Sequence, residues 1–189
     1  MPMNLIHRRI CSSAKWADTV EERLKPWLAR HDLGDDVLEI GPGFGATTKV
    51  LLDLVPKLTV LEIDHASTEL LRAKFGDRAD VVEGSGAEMP FEDRSFSAVV
   101  CFTMLHHVPT ARLQDAIFAE AARVLRPGGA YRGFDGQLNF RFRLLHIGDT
   151  MNVVDAATLP DRLGKAGFEQ VDVQLRPKEL VTFSAVKPG

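Results

Sequence analysis

The chain has 189 residues, 45% hydrophobic and 26% charged, the size and balance of one folded α/β domain, which excludes disorder and fibrous repeats. A formal net charge of -3 offers no general attraction for a polyanion, so nucleic acid is not an expected partner. No stretch approaches the ~20 apolar residues of a membrane span, and no leader-like apolar run follows His7, Arg8 and Arg9; a cytoplasmic protein, monomer or homodimer, is expected.

In chain order, Trp16, Val20, Leu24, Trp27 and Leu28 recur at helical spacing and predict an amphipathic helix, kinked or restarted at Pro26. Val37–Gly41 reads as a short buried strand, followed by a helix from about Ala46 to Val55. Leu58–Ile63 is a second strand, Ser67–Phe75 a helix, Val81–Glu83 a third strand and Ser97–Phe102 a fourth. Cys101 lies in this fourth run and reads as a small buried hydrophobe. With Cys11 far away and no His/Cys cluster at metal-ligand spacing, no metal site is expected, and the low cysteine use favours a reducing compartment. Thr110–Leu125 is a helix stopped by Arg126-Pro-Gly-Gly129, and Ala130–Asp135 is a fifth strand.

Gly136–Val154 mixes Phe140, Phe142, Leu144 and Leu145 with Arg141, Arg143, His146 and Asp149, and is either an insertion over an active site or a plain connection. Thr158, with Asp161 three residues on, predicts a capped helix start, and Ala166-Gly167-Phe168 its stop. Phe168–Leu175 and Leu180–Val186 alternate like a hairpin closed around Arg176-Pro-Lys-Glu179. Short apolar strands alternating with helices specify a doubly wound α/β sheet covered on both faces.

In Glu39-Ile-Gly-Pro-Gly-Phe-Gly45, three glycines stand between a strand end and a helix start. Lacking Cβ, they let the backbone turn sharply and approach a ligand, while the helix offers free N–H groups. The carboxyl end of the first strand is where open α/β sheets bind nucleotides. About twenty residues further on, Glu62 ends the second strand, where a carboxylate accepts ribose hydroxyls, and Asp64 suits the cap of the next helix.

These features, with Val81-Val-Glu-Gly-Ser-Gly-Ala-Glu-Met-Pro-Phe91, Leu105-His-His-Val108 and Arg123-Val-Leu-Arg-Pro-Gly-Gly129, resemble the class I S-adenosylmethionine-dependent methyltransferases over residues 35–135. The similarity is to the small-molecule group typified by ubiquinone and menaquinone methylation enzymes. It implies a Rossmann-like sheet, mostly parallel with an antiparallel last strand, and S-adenosylmethionine as cofactor, leaving as S-adenosylhomocysteine. By that resemblance Glu39 and the backbone of Gly41, Gly43 and Gly45 face the methionine end of the cofactor. Glu62 binds the ribose, Ile63 packs on the adenine, and Ser85, Gly86 and Ala87 ring its edge. The family often carries Asp where Ser85 stands, a loss of one charge-assisted bond. Cys101 and Phe102 fall beside the sulfonium, with Phe102 either an aromatic surface for the cation or core packing.

Methyl transfer from a sulfonium depends mainly on positioning, with a base where the acceptor must lose a proton. His106 is the candidate base and His107, His146 and Asp149 candidate acceptor contacts; for His106 and His107 the alternative is a histidine bonded to loop backbone. Cys101-Phe-Thr-Met104 stands where amino-methylating DNA, RNA and protein enzymes carry Asn/Asp-Pro-Pro-aromatic, so a small organic acceptor is favoured. The expected layout is one domain: residues 1–34 a helical lid or cover, 35–135 the cofactor core, and 136–189 the acceptor-side connection, helix and hairpin. Two rival readings are a nicotinamide-dependent oxidoreductase, since Gly41, Gly43 and Ala46 also satisfy G-x-G-x-x-A, and a non-catalytic S-adenosylmethionine-binding module.

Overall fold

The computed structural model describes residues 4–176 and 180–189, so Pro177, Lys178 and Glu179 of the expected hairpin turn lie outside the described residues. Strands β1 (Asp36–Ile40), β2 (Lys57–Glu62), β3 (Asp80–Glu83), β4 (Phe96–Phe102), β5 (Leu125–Gly136), β6 (Glu169–Arg176) and β7 (Leu180–Val186) form one sheet in the order β3-β2-β1-β4-β5-β7-β6. Neighbours from β3 to β5 pair parallel, and β7 runs antiparallel to both β5 and β6. This is the predicted mostly parallel, doubly wound sheet with its reversed last strand.

Among the described residues the α-helices are α1 (Leu5–Cys11) and α2 (Ala14–Leu28), ahead of the sheet, and α3 (Ala46–Leu51), α4 (His65–Phe75), α5 (Ala111–Val124), α6 (Phe140–Leu145) and α7 (Leu159–Lys165) between strands. Successive strand residues point to opposite faces. Val37, Leu58, Val60, Ala98 and Val100 therefore meet Leu24 of α2, Val50 and Leu51 of α3 and Leu71 of α4. Leu38, Leu61, Val99, Cys101 and Tyr131 meet Phe118 of α5 and Leu159 and Leu163 of α7. Both faces of the central strands are covered, which is why β1, β2 and β4 are buried at nearly every position, whereas the edge strand β6 is largely exposed. Each such buried aliphatic side chain contributes roughly 1.5–3 kcal/mol, the main force holding the layers together. Among the described residues no helix is long and apolar enough to cross a membrane.

Several local expectations are corrected. The N-terminal segment is two helices, broken at Ser12 and Ser13, and α2 runs through Pro26 to Leu28. Ser13 caps α2 by accepting the Trp16 N–H at 3.2 Å, and Pro26 lies in the last turn, where little helix remains for it to disrupt. The helix after the glycine turn ends at Leu51, short of Val55. Thr158 does not cap α7 with its side chain: Asp155 accepts the Ala157 and Leu159 N–H groups and turns the chain into the helix. Gly167, at φ +98°, ends that helix as expected. No turn separates α5 from β5. The strand starts at Leu125, and residues 126–129 bulge from the ladder between the pairs Phe96–Leu125 and Ala98–Ala130.

The chain builds outward from β1 to β3 and then crosses back to β4 on the other side of β1. This reversal opens a crevice at the carboxyl ends of β1 and β4, the place where such sheets bind ligands.

Candidate active site

A cavity of about 1650 Å³ occupies that crevice. The glycine turn forms its floor, with Gly41, Gly43 and Gly45 all in the left-handed region at φ +64°, +58° and +80°. The three glycines serve different ends. A Cβ at Gly41 would fall 2.3 Å from Cγ of Met104 and one at Gly45 2.5 Å from the Phe75 ring, so both are demanded by packing. A Cβ at Gly43 would meet no protein atom within 4 Å, because that position faces the cavity.

Glu62, buried at the end of β2, lines the cavity. Its Oε2 accepts the Gly43 N–H at 3.0 Å and its Oε1 the Asp64 N–H at 3.0 Å. Each carboxylate oxygen keeps a further lone pair for a ligand hydroxyl. Asp64 caps α4 by accepting the Ser67 N–H at 2.9 Å, as its position predicted. Ile63 is 53% exposed and lines the same wall as Ser85, Gly86 and Ala87, where the Ser85 hydroxyl accepts the Ala87 N–H at 3.2 Å.

Two residues that the resemblance placed beside the cofactor lie behind the wall. Glu39 is fully buried and accepts the hydroxyls of Thr47 and of Thr48, the latter at 2.6 Å, so it anchors the first turn of α3 rather than facing the cavity. Burial pushes its carboxyl up to about 7 against the opposing pull of those hydroxyls. Cys101 points into the core on the other face of the sheet, the small buried hydrophobe of the plainer reading. Phe102 is part of the core, and its ring also lines the cavity 4.9 Å from Phe134 and 5.8 Å from Trp27.

At the other end of the cavity the chain gathers four imidazoles. His106, in the 3₁₀ turn Leu105–His107, is buried, with its Nδ1 on the Asp135 carboxylate and its backbone N–H on Oδ2 of Asp135 at 2.9 Å. With Nδ1 donating to Asp135, Nε2 is left as the lone-pair nitrogen. His107 is held neutral, its pKa pushed down to about 2 by burial and then by His106, His7 and His146. His146 donates its Nδ1–H to the Phe142 carbonyl at 2.7 Å, and burial pushes its pKa down. Asp149 does not line the cavity. It accepts from Nδ1 of His7 at 2.7 Å and from the Asn4 N–H at 2.5 Å, which ties α1 to the 136–154 connection.

Sequence reasoning missed Asp135 and His7, and missed Trp27 and Phe134 as cavity wall, whereas Trp16 stands on the helix expected to cover the site. A carboxylate at the end of an apolar strand was a usable signal for Asp135. None existed for His7, whose partners lie about a hundred or more residues away. Thr103, at φ +50° immediately after β4, is a non-glycine in the left-handed region on the cavity wall, a strain of the kind that collects at functional sites.

The chain is 32% identical to a probable S-adenosylmethionine-dependent methyltransferase of Mycolicibacterium smegmatis over 77% of this chain and 60% of that protein. A 64-residue stretch, 33% of this chain and 23% of the relative, is 47% identical to a ribosomal RNA small subunit methyltransferase A of Cupriavidus pinatubonensis. The chain thus spans less than two thirds of the length of either curated relative. Its fold matches the crystal structure of an Aquifex aeolicus SAM dependent methyltransferase at a TM-score of 0.75 and 16% identity, covering 95% of this chain and 96% of that one. The profile of the family described as "Methyltransferase domain" matches residues 38–132, from β1 into β5, and the chain belongs to that family.

Proposed function

We propose that the protein transfers the methyl group of S-adenosylmethionine to a small organic acceptor by in-line displacement. The observation that carries this reading is the bond between Gly43 and Glu62 on the cavity floor: one glycine that faces open space and one carboxylate with acceptor capacity to spare, side by side at the sheet's switch point. That pair suits the ribose of the cofactor, with Ile63 against the adenine and Ser85–Ala87 at its edge. Glu39 acts indirectly, by holding the helix that carries the turn. Phe102 presents its ring toward the sulfonium. A cavity of about 1650 Å³ exceeds the ~300–1,000 Å³ of a single-ligand site, which favours cofactor and acceptor side by side.

The acceptor occupies the end walled by Trp16, Trp27, Phe134, Phe142 and the histidines. His106, oriented by Asp135, is the base for an acceptor that must lose a proton, with Nε2 as the receiving atom. A cavity roofed by α1, α2 and α6 fits a small molecule better than a polymer, and the two free cysteines fit a cytoplasmic setting.

The test is ligand-dependent melting followed by product assay. S-adenosylmethionine and S-adenosylhomocysteine are expected to stabilise the chain, by about 2.7 kcal/mol at a hundred times the dissociation constant, and NADH is not. S-adenosylhomocysteine formation is then followed with a panel of phenols, thiols and amines and with ribosomal RNA. Stabilisation by NADH alone overturns the cofactor assignment, and turnover with RNA alone overturns the acceptor class.

A further inference from the structure

His7 of α1, His107 of the turn after β4 and His146 after α6 come from three separate segments, yet one ring nitrogen of each lies within 4.8 Å of those of the other two. The ring centroids of His7 and His146 are 4.4 Å apart, and His107 stands 5.3 and 5.4 Å from them. Two of the rings are also fixed from behind: His7 uses Nδ1 on the Asp149 carboxylate, and His146 uses Nδ1 on the Phe142 carbonyl. An imidazole that donates outward presents its lone pair on the other nitrogen. One nitrogen of each ring thus stands near those of the other two, and Nε2 of His146 is buried without a hydrogen-bond partner.

Packing alone does not explain this arrangement, because a buried acceptor without a donor is disfavoured and stacking neutral imidazoles relieves none of it. A cation at the centre would satisfy all three at once. Metal-bound histidines almost always donate their outer N–H to a carboxylate, carbonyl or water, which is the set of partners found here. We propose that His7, His107 and His146 form a binding site for a divalent transition metal, zinc(II) being the ion that three imidazoles suit best. Nitrogens on one zinc sit about 2.0–2.1 Å from it, so the rings would draw inward from the present triangle. All three ligands line the cavity, so a fourth coordination position faces the acceptor end. Three protein ligands with one exchangeable position is the pattern of a reactive zinc rather than a purely structural one. An acceptor bearing a hydroxyl, phenol or thiol would coordinate there; this last role rests on the methyl-transfer reading, whereas the metal site does not.

The test reads the metal itself. Full-length protein, stripped with a chelator, is titrated with cobalt(II), whose visible ligand-field bands report geometry and stoichiometry, and competed with zinc(II). The expected result is one ion per chain, displaced by zinc, with a melting temperature raised by the metal. His7→Gln, His107→Gln and His146→Gln are each expected to weaken cobalt binding at least 100-fold, and Asp149→Asn about 10–100-fold, as outer-shell changes do. His65→Gln, at an exposed histidine on α4 remote from the cluster, is expected to bind as the parent does. Should a histidine variant fail to fold by circular dichroism, the parent's titration still decides. A parent that binds no cobalt or zinc at micromolar concentration overturns the site, as does binding that survives the three substitutions. Metal binding without any response to S-adenosylmethionine would support the site while removing the methyl-transfer reading.

Discussion

Glu62 accepts the backbone N–H of Gly43 at 3.0 Å, so the end of β2 clamps the glycine turn that follows β1. Through its second oxygen the same carboxylate holds the Asp64 N–H, just ahead of α4. Glu62→Ala therefore has two consequences. Loss of charged hydrogen bonds to the ribose, roughly 1.5–3 kcal/mol each, should weaken S-adenosylhomocysteine about tenfold or more. Leaving two backbone N–H groups without this acceptor should also lower the melting temperature. Isothermal calorimetry and thermal melts measure the two effects, and unchanged affinity would remove Glu62 from the ribose site.

The glycines of the turn should separate into two classes. Gly41→Ala and Gly45→Ala press a methyl group into Met104 and into Phe75, and each should destabilise the fold. The Cβ of Gly43→Val meets no protein atom within 4 Å, and its left-handed backbone resists at roughly 1–2 kcal/mol. It should fold and lose the cofactor. A folded Gly43→Val chain that binds S-adenosylhomocysteine normally would show the turn to be structural only.

Glu39 makes stability depend on pH. Its carboxyl rises from 4.5 to about 7 on folding, so the native chain holds this proton more tightly than the unfolded chain does. The contribution is full below pH 4.5, declines as pH rises and is lost above about 7. At about 1.4 kcal/mol per unit the effect is on the order of 3 kcal/mol. Glu39→Gln, which keeps one acceptor oxygen for a threonine hydroxyl, turns the other into an amide donor and cannot ionise, should flatten the melting-temperature profile between these limits. An identical profile in parent and variant would dismiss the assignment.

Asp135 orients His106, so Asp135→Asn should disturb the proton on Nδ1 without touching the cofactor end. Turnover should fall, and His106→Gln should lower it by roughly 10²-fold or more where the acceptor must be deprotonated. S-adenosylhomocysteine affinity should hold in both. Equal turnover in parent and His106→Gln would reduce the histidine to a loop support.

The N-terminal helices and the 136–154 connection meet through Asn4, whose side-chain amide donates to the Leu145 carbonyl at 2.7 Å and to Asp149 at 3.2 Å. Both segments wall the cavity. Hydrogen exchange in 5–27 and 136–154 should slow on adding S-adenosylhomocysteine, since a lid gains protection on closing. No change in either segment would make them a fixed cover.

The alternation of strands and helices was legible because the central strands β1, β2 and β4 are buried on both faces, which writes a short apolar run into the sequence whatever the rest of the chain does. The glycine turn and the Asp64 cap were legible for the same reason: their geometry depends on residues within a few positions of one another. Thr158 shows where local reading fails. Its spacing to Asp161 matched a capping box, but Asp155 turned the chain first and left the threonine hydroxyl without that role.

The sequence by itself determined the sheet class, the glycine turn and the family, because those rest on contiguous motifs. It named His106, His107 and His146 as separate candidates without showing what each would meet. Only the tertiary structure decided that Glu39 stands behind the wall, that Asp135 holds His106, and that His7 joins His107 and His146. Strand order brings the end of β5 beside the turn after β4, and the docking of α1 on the 136–154 connection carries His7 across. Contacts between residues 29 to 142 positions apart depend on how the layers close, and no local spacing encodes that.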